Sequence, residues 1–153
     1  MNVYRIARNR HLKDDLKGIG ASIAPGRWNH KDIFCIYTAE SRALTLVEHM
    51  ANVTKESYIS SLFTLRTFFL PDECILKIDI TDLPKNWREK PPPVSTREFG
   101  ATLLQSKQKP AYVLPSVIIP QEFNIIIDPL HPDIKKLKII GDEPLDFDLR
   151  LKS

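Results

Sequence analysis

Residues 33–52 read IFCIYTAESRALTLVEHMAN and join a buried strand to the clearest helix of the chain. Five apolar residues in a row, from Ile33 to Tyr37, predict a short buried strand. Apolar side chains then recur at the i, i+3, i+4 and i+7 spacing of one helix face: Ala43, Leu46, Val47 and Met50. We predict Thr38 as the N-cap of this helix, with Glu40 in its first turn.

Short elements are predicted on both sides of this unit. Residues Val3 to Ile6 resemble a short edge strand, and residues 8–25 form a loop or a frayed helix that turns at the glycines. Further strands are predicted at Cys74–Ile80, Tyr112–Leu114, Phe123–Ile127, Lys138–Ile140 and Leu145–Leu149. Helical segments are predicted at Ser95–Lys107, with Ser95 or Thr96 as its cap, and at Pro132–Lys136.

Two segments are less regular. Residues 58–70 fit either a strand pair or a helical turn, and residues 83–94 carry four prolines and Trp87, which indicates an ordered loop. Many short strands with two or three helices predict an α+β fold, with compact mixed or antiparallel sheets. We expect residues 1–153 to form one domain, because this length is typical of a single core.

Composition and charge exclude several classes of function and location. The 22 basic and 19 acidic residues leave a net charge of +3, which is too small to indicate a nucleic-acid partner. No apolar run approaches the ~20 residues of a membrane span, and the first residues lack a signal-peptide core. Both cysteines lie in apolar runs and no metal-ligand spacing is present. We therefore expect a cytoplasmic protein with buried thiols, no membrane contact and no metal.

Four places could carry chemistry. In the stretch Gly26-Arg27-Trp28-Asn29, an arginine suited to gripping a phosphate follows a glycine that allows close backbone approach. The alternative is a surface turn around a buried Trp28. Tyr37 ends a buried strand, where its ring could stack on a cationic heterocycle or simply fill the core.

Glu48 and Ser116 also have two interpretations each. Glu48 needs a partner at the margin of a buried helix face, and it could be an active-site acid or one half of a salt bridge. His49 points about 100° away from it on a helix and is not an obvious partner. Ser116 lacks a nucleophile-elbow motif, so it is a hydrogen-bonding serine or a plain turn serine.

The order of these signals is more specific than any one of them. The chain resembles the RES domain family, toxins of bacterial type II toxin–antitoxin pairs named for their arginine, glutamate and serine. The matching stretches are Tyr4-Arg5, Gly26-Arg27-Trp28-Asn29, Tyr37-Thr38, Glu48, Pro115-Ser116, Asn124 and Asp128-Pro129-Leu130-His131-Pro132. Asp32 stands where this family often has a glycine.

The resemblance implies a fold similar to diphtheria-toxin-type ADP-ribosyltransferases and an enzyme that consumes NAD. NAD would be the substrate, with no separate cofactor, and the nicotinamide–ribose bond would be cleaved by water or phosphate. One alternative is an ADP-ribosyltransferase that modifies a protein, and another is a non-catalytic binding protein. The implied partner is an Xre-like helix-turn-helix antitoxin that blocks the site, and homo-oligomers or toxin–antitoxin hetero-oligomers both stay open.

The resemblance also implies roles for individual residues. Arg27 would hold the pyrophosphate, Tyr37 would stack on nicotinamide, and Glu48 would stabilise positive charge on the ribose. Ser116 would bond the nicotinamide amide or a ribose hydroxyl. Weaker substrate-binding candidates are Tyr4, Arg5, Asn29 and Asn124.

Overall fold

Seven strands form one mixed sheet in the computed structural model of the chain, which describes residues 1–60 and 62–152. The strands are β1 (Asn2–Arg8), β2 (Ile36–Ala39), β3 (Phe63–Phe69), β4 (Ile75–Lys77), β5 (Ala111–Pro115), β6 (Phe123–Ile127) and β7 (Lys138–Pro144). Their order across the sheet is β4-β5-β6-β2-β1-β3-β7. Only the β4–β5 pair is parallel among these described strands. The predicted α+β class with a mixed sheet is confirmed.

Helices flank both faces of the sheet. The α-helices are α1 (Ile19–Ile23), α2 (Arg42–Asn52), α3 (Lys55–Ser60) and α4 (Val94–Ser106). Short 3-10 helices cover Asn9–Lys17, Asp72–Cys74, Ile80–Asp82, Pro132–Lys136 and Leu149–Leu151. Within the described ranges, no helix has both the length and the apolar character that crossing a membrane requires.

Two hydrophobic cores lie on opposite faces of the sheet, because side chains alternate along each strand. We call one the back face, whose buried residues include Val3, Ile36, Val113 and Ile125. The other is the front face, where residues of β2, β5 and β6 pack with Trp28, Trp87 and Leu104. On this front side α2 and α3 add a smaller cluster around Ile6, Tyr58 and Phe63. The front face therefore carries the strand end of Tyr37 and the turn around Trp28.

The pairing between β1 and β2 is short. The two strands register at one pair among the described residues, Tyr4 with Ala39, whereas β1 and β3 register over seven pairs. Ala39 is also opposite Asn124 of β6. Asn124 and Tyr4 thus share one cross-strand row on the front face, about 10 Å apart at the ~4.8 Å spacing of neighbouring strands.

Two predictions about the segment 33–52 need correction. Thr38 continues β2 opposite Ile125, so it cannot cap the helix; the cap is Ser41, whose Oγ accepts a hydrogen bond from Leu44 N at 3.0 Å. The buried face of α2 is also rotated, with Leu44 and Thr45 buried and Ala43 exposed. Thr45 turns inward because its hydroxyl bonds the carbonyl oxygens of Tyr4 and Ser41, at 3.2 and 2.8 Å.

Other boundaries differ for similar tertiary reasons. β1 is an interior strand between β2 and β3, not an edge strand. The predicted strand at Cys74–Ile80 shortens to β4 because 3-10 helices flank it on both sides. The predicted strand at Leu145–Leu149 does not form, because pairing with β3 ends at Pro144. Pro93 rather than Ser95 or Thr96 is the N-cap of α4.

Candidate active site

Glu48 lies on α2 one turn after the buried Leu44, and its carboxylate is held from the sheet. Its Oε1 accepts hydrogen bonds from Ser116 Oγ and from Asn124 Nδ2, each at 2.7 Å. Among the described residues nothing bonds Oε2, and Glu48 takes part in no ion pair. The carboxylate is thus fixed by one oxygen and has the other available for a ligand.

Ser116 is fully buried and its hydroxyl has no capacity left for a ligand. Its Oγ donates to Glu48 and accepts from the backbone N–H groups of Ile118 and Ile119, each at 3.1 Å. The predicted contact of Ser116 with nicotinamide or ribose does not fit this position. The geometry makes Ser116 a positioning residue for the Glu48 carboxylate.

The ring of Tyr37 lies on the front face, and its hydroxyl makes two hydrogen bonds inside the protein. The hydroxyl donates to Asn29 Oδ1 at 2.6 Å and accepts from Trp28 N at 3.0 Å. Burial raises the pKa of Tyr37 well above its usual value, so the side chain stays neutral at physiological pH. A Cβ at Gly26 would lie 2.7 Å from the Tyr37 hydroxyl, so only glycine lets the turn rest on this ring.

Asn29 is the centre of that turn and has no exposed surface. Its Nδ2 donates to the carbonyl oxygens of Ala21, His30 and Ile33, at 2.8, 3.1 and 3.1 Å. Because both ends of its amide are engaged inside the protein, Asn29 holds the turn and Tyr37 in place. Its predicted role in contacting substrate does not fit this burial.

The turn that Asn29 organises contains one residue with a strained backbone. Asp32 has a φ of 68°, in the left-handed region, and its N–H donates to Ser22 O at 2.8 Å. This conformation explains why glycine is common there in the family that the sequence resembles.

Arg27 extends from the same turn toward the loop of residues 83–93. Its Nη1 donates to the carbonyl oxygens of Trp87 and Glu89, at 2.9 and 2.7 Å. Burial lowers the pKa of Arg27, while the negative charge of Glu48 acts to raise it. No acceptor among the described residues engages its other guanidinium nitrogens, which therefore remain available to an anion.

Tyr4 and Arg5 occupy opposite faces of β1. Tyr4 lies on the front face with the Arg42 guanidinium 4.5 Å from the centre of its ring. Arg5 lies on the back face, where its Nε donates to Asp15 Oδ1 at 2.6 Å and its Nη1 donates to Tyr37 O at 3.1 Å. The sheet therefore separates Arg5 from Glu48, and the predicted substrate contact by Arg5 does not fit.

The side chain of His49 points away from the carboxylate of its neighbour Glu48. Its ring packs edge-on against Tyr58 and Phe63, with centroids 5.5 and 5.1 Å away. Burial lowers the pKa of His49 to about 4, and the nearby charges of Arg5 and Arg8 act in the same direction. A neutral histidine in an aromatic cluster agrees with the expectation that it does not pair with Glu48.

Sequence reasoning missed one charged residue near this group, Arg97 on α4. The signal was available, because Arg97 stands three, four and seven residues before Gly100, Ala101 and Leu104, which are all buried. A cation on the buried stripe of a helix is unusual and marks a position worth examining.

A cavity on the back face includes none of the predicted residues. It encloses about 470 Å³ and is lined by Met1, Glu40, Asp72, Ile75, Lys77, Val113 and Phe123. Glu48, Ser116, Tyr37 and Arg27 line no part of this cavity.

The chain is similar to known proteins along nearly its whole length. Residues 2–149 match the RES domain family. A protein of Yersinia enterocolitica named Toxin Res is 34% identical over 154 residues, covering 99% of this chain and 100% of its own length. A Sphingobium protein named Prs ADP-ribosylating toxin is 34% identical over 140 residues, covering 88% of this chain and 86% of its own length.

A solved structure shares the fold. A chain of the crystal structure of the M. tuberculosis MbcT–MbcA toxin–antitoxin complex superposes with a TM-score of 0.73 at 19% identity. The likeness covers 94% of this chain and 83% of that chain. With a match along nearly its whole length and two relatives at 34% identity, the chain belongs to the RES domain family.

Proposed function

We propose that this protein is the toxin of a toxin–antitoxin pair and that it cleaves the bond between nicotinamide and ribose in NAD. The observation that carries the proposal is the Glu48 carboxylate, which is fixed through Oε1 and unengaged at Oε2 among the described residues. The names of the relatives support the toxin assignment, and the name of the Sphingobium relative supports chemistry on ADP-ribose.

Glu48 would act on the charge that develops during the reaction. The glycosidic C–N bond breaks, nicotinamide leaves with the electron pair, and positive charge grows on the ribose. A carboxylate already oriented by Ser116 and Asn124 stabilises that charge without reorganising, which is the condition for a large electrostatic contribution. Water then forms the new C–O bond and releases a proton to the solvent, or phosphate forms the bond through an ionised oxygen.

Arg27 and Tyr37 would bind the two ends of the reacting half of NAD. The free nitrogens of Arg27 suit the pyrophosphate, because a guanidinium donates two parallel hydrogen bonds to phosphate oxygens. The neutral ring of Tyr37 suits the cationic nicotinamide, which is attracted to an aromatic face. Asn29 would contribute by fixing the turn and the tyrosine in their relative positions.

A second candidate is transfer of ADP-ribose to a protein. The name of the Sphingobium relative favours it, and the same oriented carboxylate serves both reactions. The two differ only in the acceptor that attacks the ribose. Product analysis therefore separates them.

The test is incubation of the purified protein with NAD, with and without phosphate, followed by mass spectrometry of the products. Hydrolysis gives ADP-ribose, phosphorolysis gives its 1″-phosphate, and transfer adds the mass of ADP-ribose to a protein. The variant Glu98→Gln, on the exposed side of α4, is a charge-matched control for Glu48→Gln. Free nicotinamide at equal rates from parent and Glu48→Gln would contradict the proposal.

An antitoxin partner belongs to the same proposal. The structural neighbour comes from a toxin–antitoxin complex, and an Xre-like helix-turn-helix antitoxin is the type we expect. A carboxylate of the antitoxin inserted near Arg27 would replace a phosphate and exclude NAD. Titrating the antitoxin into Glu48→Gln at rising NAD concentrations tests this, and an affinity that NAD leaves unchanged would rule out occlusion.

A further inference from the structure

Arg97 is a cation on the face that α4 buries. It shares its helix stripe with Gly100, Ala101 and Leu104, which pack into the front-face core. An apolar side chain would be the ordinary occupant of such a position. The arginine therefore needs a reason to be there.

Arg97 has no partner inside the described protein. Its Nε is buried and makes no hydrogen bond, and no carboxylate among the described residues lies within ion-pair distance. Two other arginines of the sheet, the half-buried Arg5 and the buried Arg66, are paired with aspartates. A buried donor without an acceptor is destabilising, so the missing acceptor is expected to come from a ligand.

The packing of α4 places Arg97 beside the turn of Gly26 to Asn29. A Cβ at Gly100 would lie 2.0 Å from Trp28 O, so the helix backbone rests directly on this turn. Phe99 packs edge-on against the Trp28 ring with centroids 6.2 Å apart. The positive charge of Arg97 also acts, weakly, to lower the pKa of Tyr37 against the larger effect of burial.

Charge complementarity identifies the ligand group. Arg27 directly precedes Trp28, and Arg97 lies one helical turn before Gly100, which rests on Trp28. Two positive charges therefore lie beside one turn, and the pyrophosphate bridge of a dinucleotide carries two negative charges. We propose that Arg97 is a second substrate-binding residue, which holds one phosphate of a pyrophosphate-containing dinucleotide while Arg27 holds the other. This inference rests on the proposed function, since NAD is such a dinucleotide.

Direct binding tests the site without catalysis. Inorganic pyrophosphate and ADP-ribose are titrated into the parent, Arg97→Met and Arg97→Gln by calorimetry. Because a hydrogen bond to a charged group contributes about 1.5–3 kcal/mol, both variants should bind about 10- to 100-fold more weakly. Arg10→Met, on the 3-10 helix at Asn9–Lys17, removes the same charge far from the site and should bind like the parent.

Kinetics with NAD then separate binding from packing. We expect the Michaelis constant of Arg97→Met to rise about tenfold or more, with kcat within about twofold of the parent. Methionine suits the apolar stripe, so the melting temperature should not fall. Arg97→Lys should recover part of the affinity, because it restores the charge without the second parallel donor.

The outcomes are distinct. Unchanged pyrophosphate affinity in both variants would overturn the inference, and so would a loss of melting temperature and kcat in both variants with affinity retained. If the parent binds pyrophosphate through Arg97 but releases no nicotinamide from NAD, the proposed function fails while the anion site stands.

Discussion

Two groups of charged side chains on opposite faces of the central sheet differ in whether they form ion pairs. On the back face, Asp15 lies between Arg5 and Arg66, at 2.6 and 3.6 Å, and Arg66 also pairs with Asp142 at 2.7 Å. On the front face, Arg27, Glu48 and Arg97 form no ion pair with one another or with other described residues. Charges that neutralise each other inside the protein support the fold, whereas charges left unpaired in a partly buried place are free to bind a ligand.

Removing the charge of Glu48 should abolish most of the NAD cleavage that we propose for the front face. Glu48→Gln keeps the shape and the hydrogen bonds from Ser116 and Asn124 and removes the charge. We expect NAD turnover to fall by about 10²–10³, the range for a single transition-state electrostatic contact, with the melting temperature unchanged. Nicotinamide release by the two purified proteins measures this, and a loss below about fivefold would assign Glu48 to the fold.

Breaking the ion pairs of Asp15 on the back face should instead lower stability and leave turnover nearly unchanged. Asp15→Asn leaves two partly buried arginines without their shared carboxylate, while Arg66 keeps Asp142. We expect the free energy of unfolding to fall by about 3 kcal/mol, the lower end for a broken buried pair, with little change in kcat of the folded protein. Denaturant unfolding measures it. Asp14→Asn, which disturbs an exposed pair with Lys17, is the matched control and should change little.

A variant of Ser116 tests whether this residue orients the Glu48 carboxylate or touches the substrate itself. Ser116→Ala removes one of the two donors to Glu48 Oε1 and leaves Asn124 in place. We expect kcat to fall by about tenfold, the equivalent of one hydrogen bond, with the Michaelis constant for NAD nearly unchanged. A larger effect on the Michaelis constant than on kcat would return Ser116 to the substrate-binding residues.

His49 gives the smallest expected effect and depends on pH. Its folded pKa of about 4 is below the ordinary value of 6.5, so the unfolded chain binds the proton more readily. The contribution to stability is therefore complete above pH 6.5 and is lost as pH falls toward 4. Melting temperatures of the parent and His49→Phe should diverge in this window, with the parent falling faster; parallel curves would show that His49 titrates normally.

Sequence patterns predicted the existence and the bounds of several elements. The bounds of β6, Phe123–Ile127, agree with the predicted strand, and α4 lies within one residue of its prediction. The phase of α2 was wrong because Thr45 bonds Tyr4 on a distant strand, which no periodicity records. The interior place of β1 is likewise a property of strand order, and strand order is not local.

The site shows the same division. The sequence identified Glu48, Ser116 and Asn124, and the structure joins them by hydrogen bonds. The position of Arg5 was not predictable, because a strand residue reveals that it alternates but not which face holds the site. The burial of Asn29 was not predictable because its turn is held by bonds to Ala21, Ile33 and Tyr37 that no motif records. Arg97 was missed because its neighbours on the helix, not its own motif, make it unusual.

The separation of the site residues along the chain has a consequence for synthesis. Ser116 and Asn124 follow Glu48 by 68 and 76 residues. A ribosome adding about 5–20 residues per second needs about 3 to 14 s to reach Ser116 after Glu48. Through that interval the nascent chain carries a carboxylate that nothing orients. If the protein is the toxin proposed above, each copy stays inactive until Ser116 and Asn124 have been translated, and the antitoxin has no shorter chain to restrain.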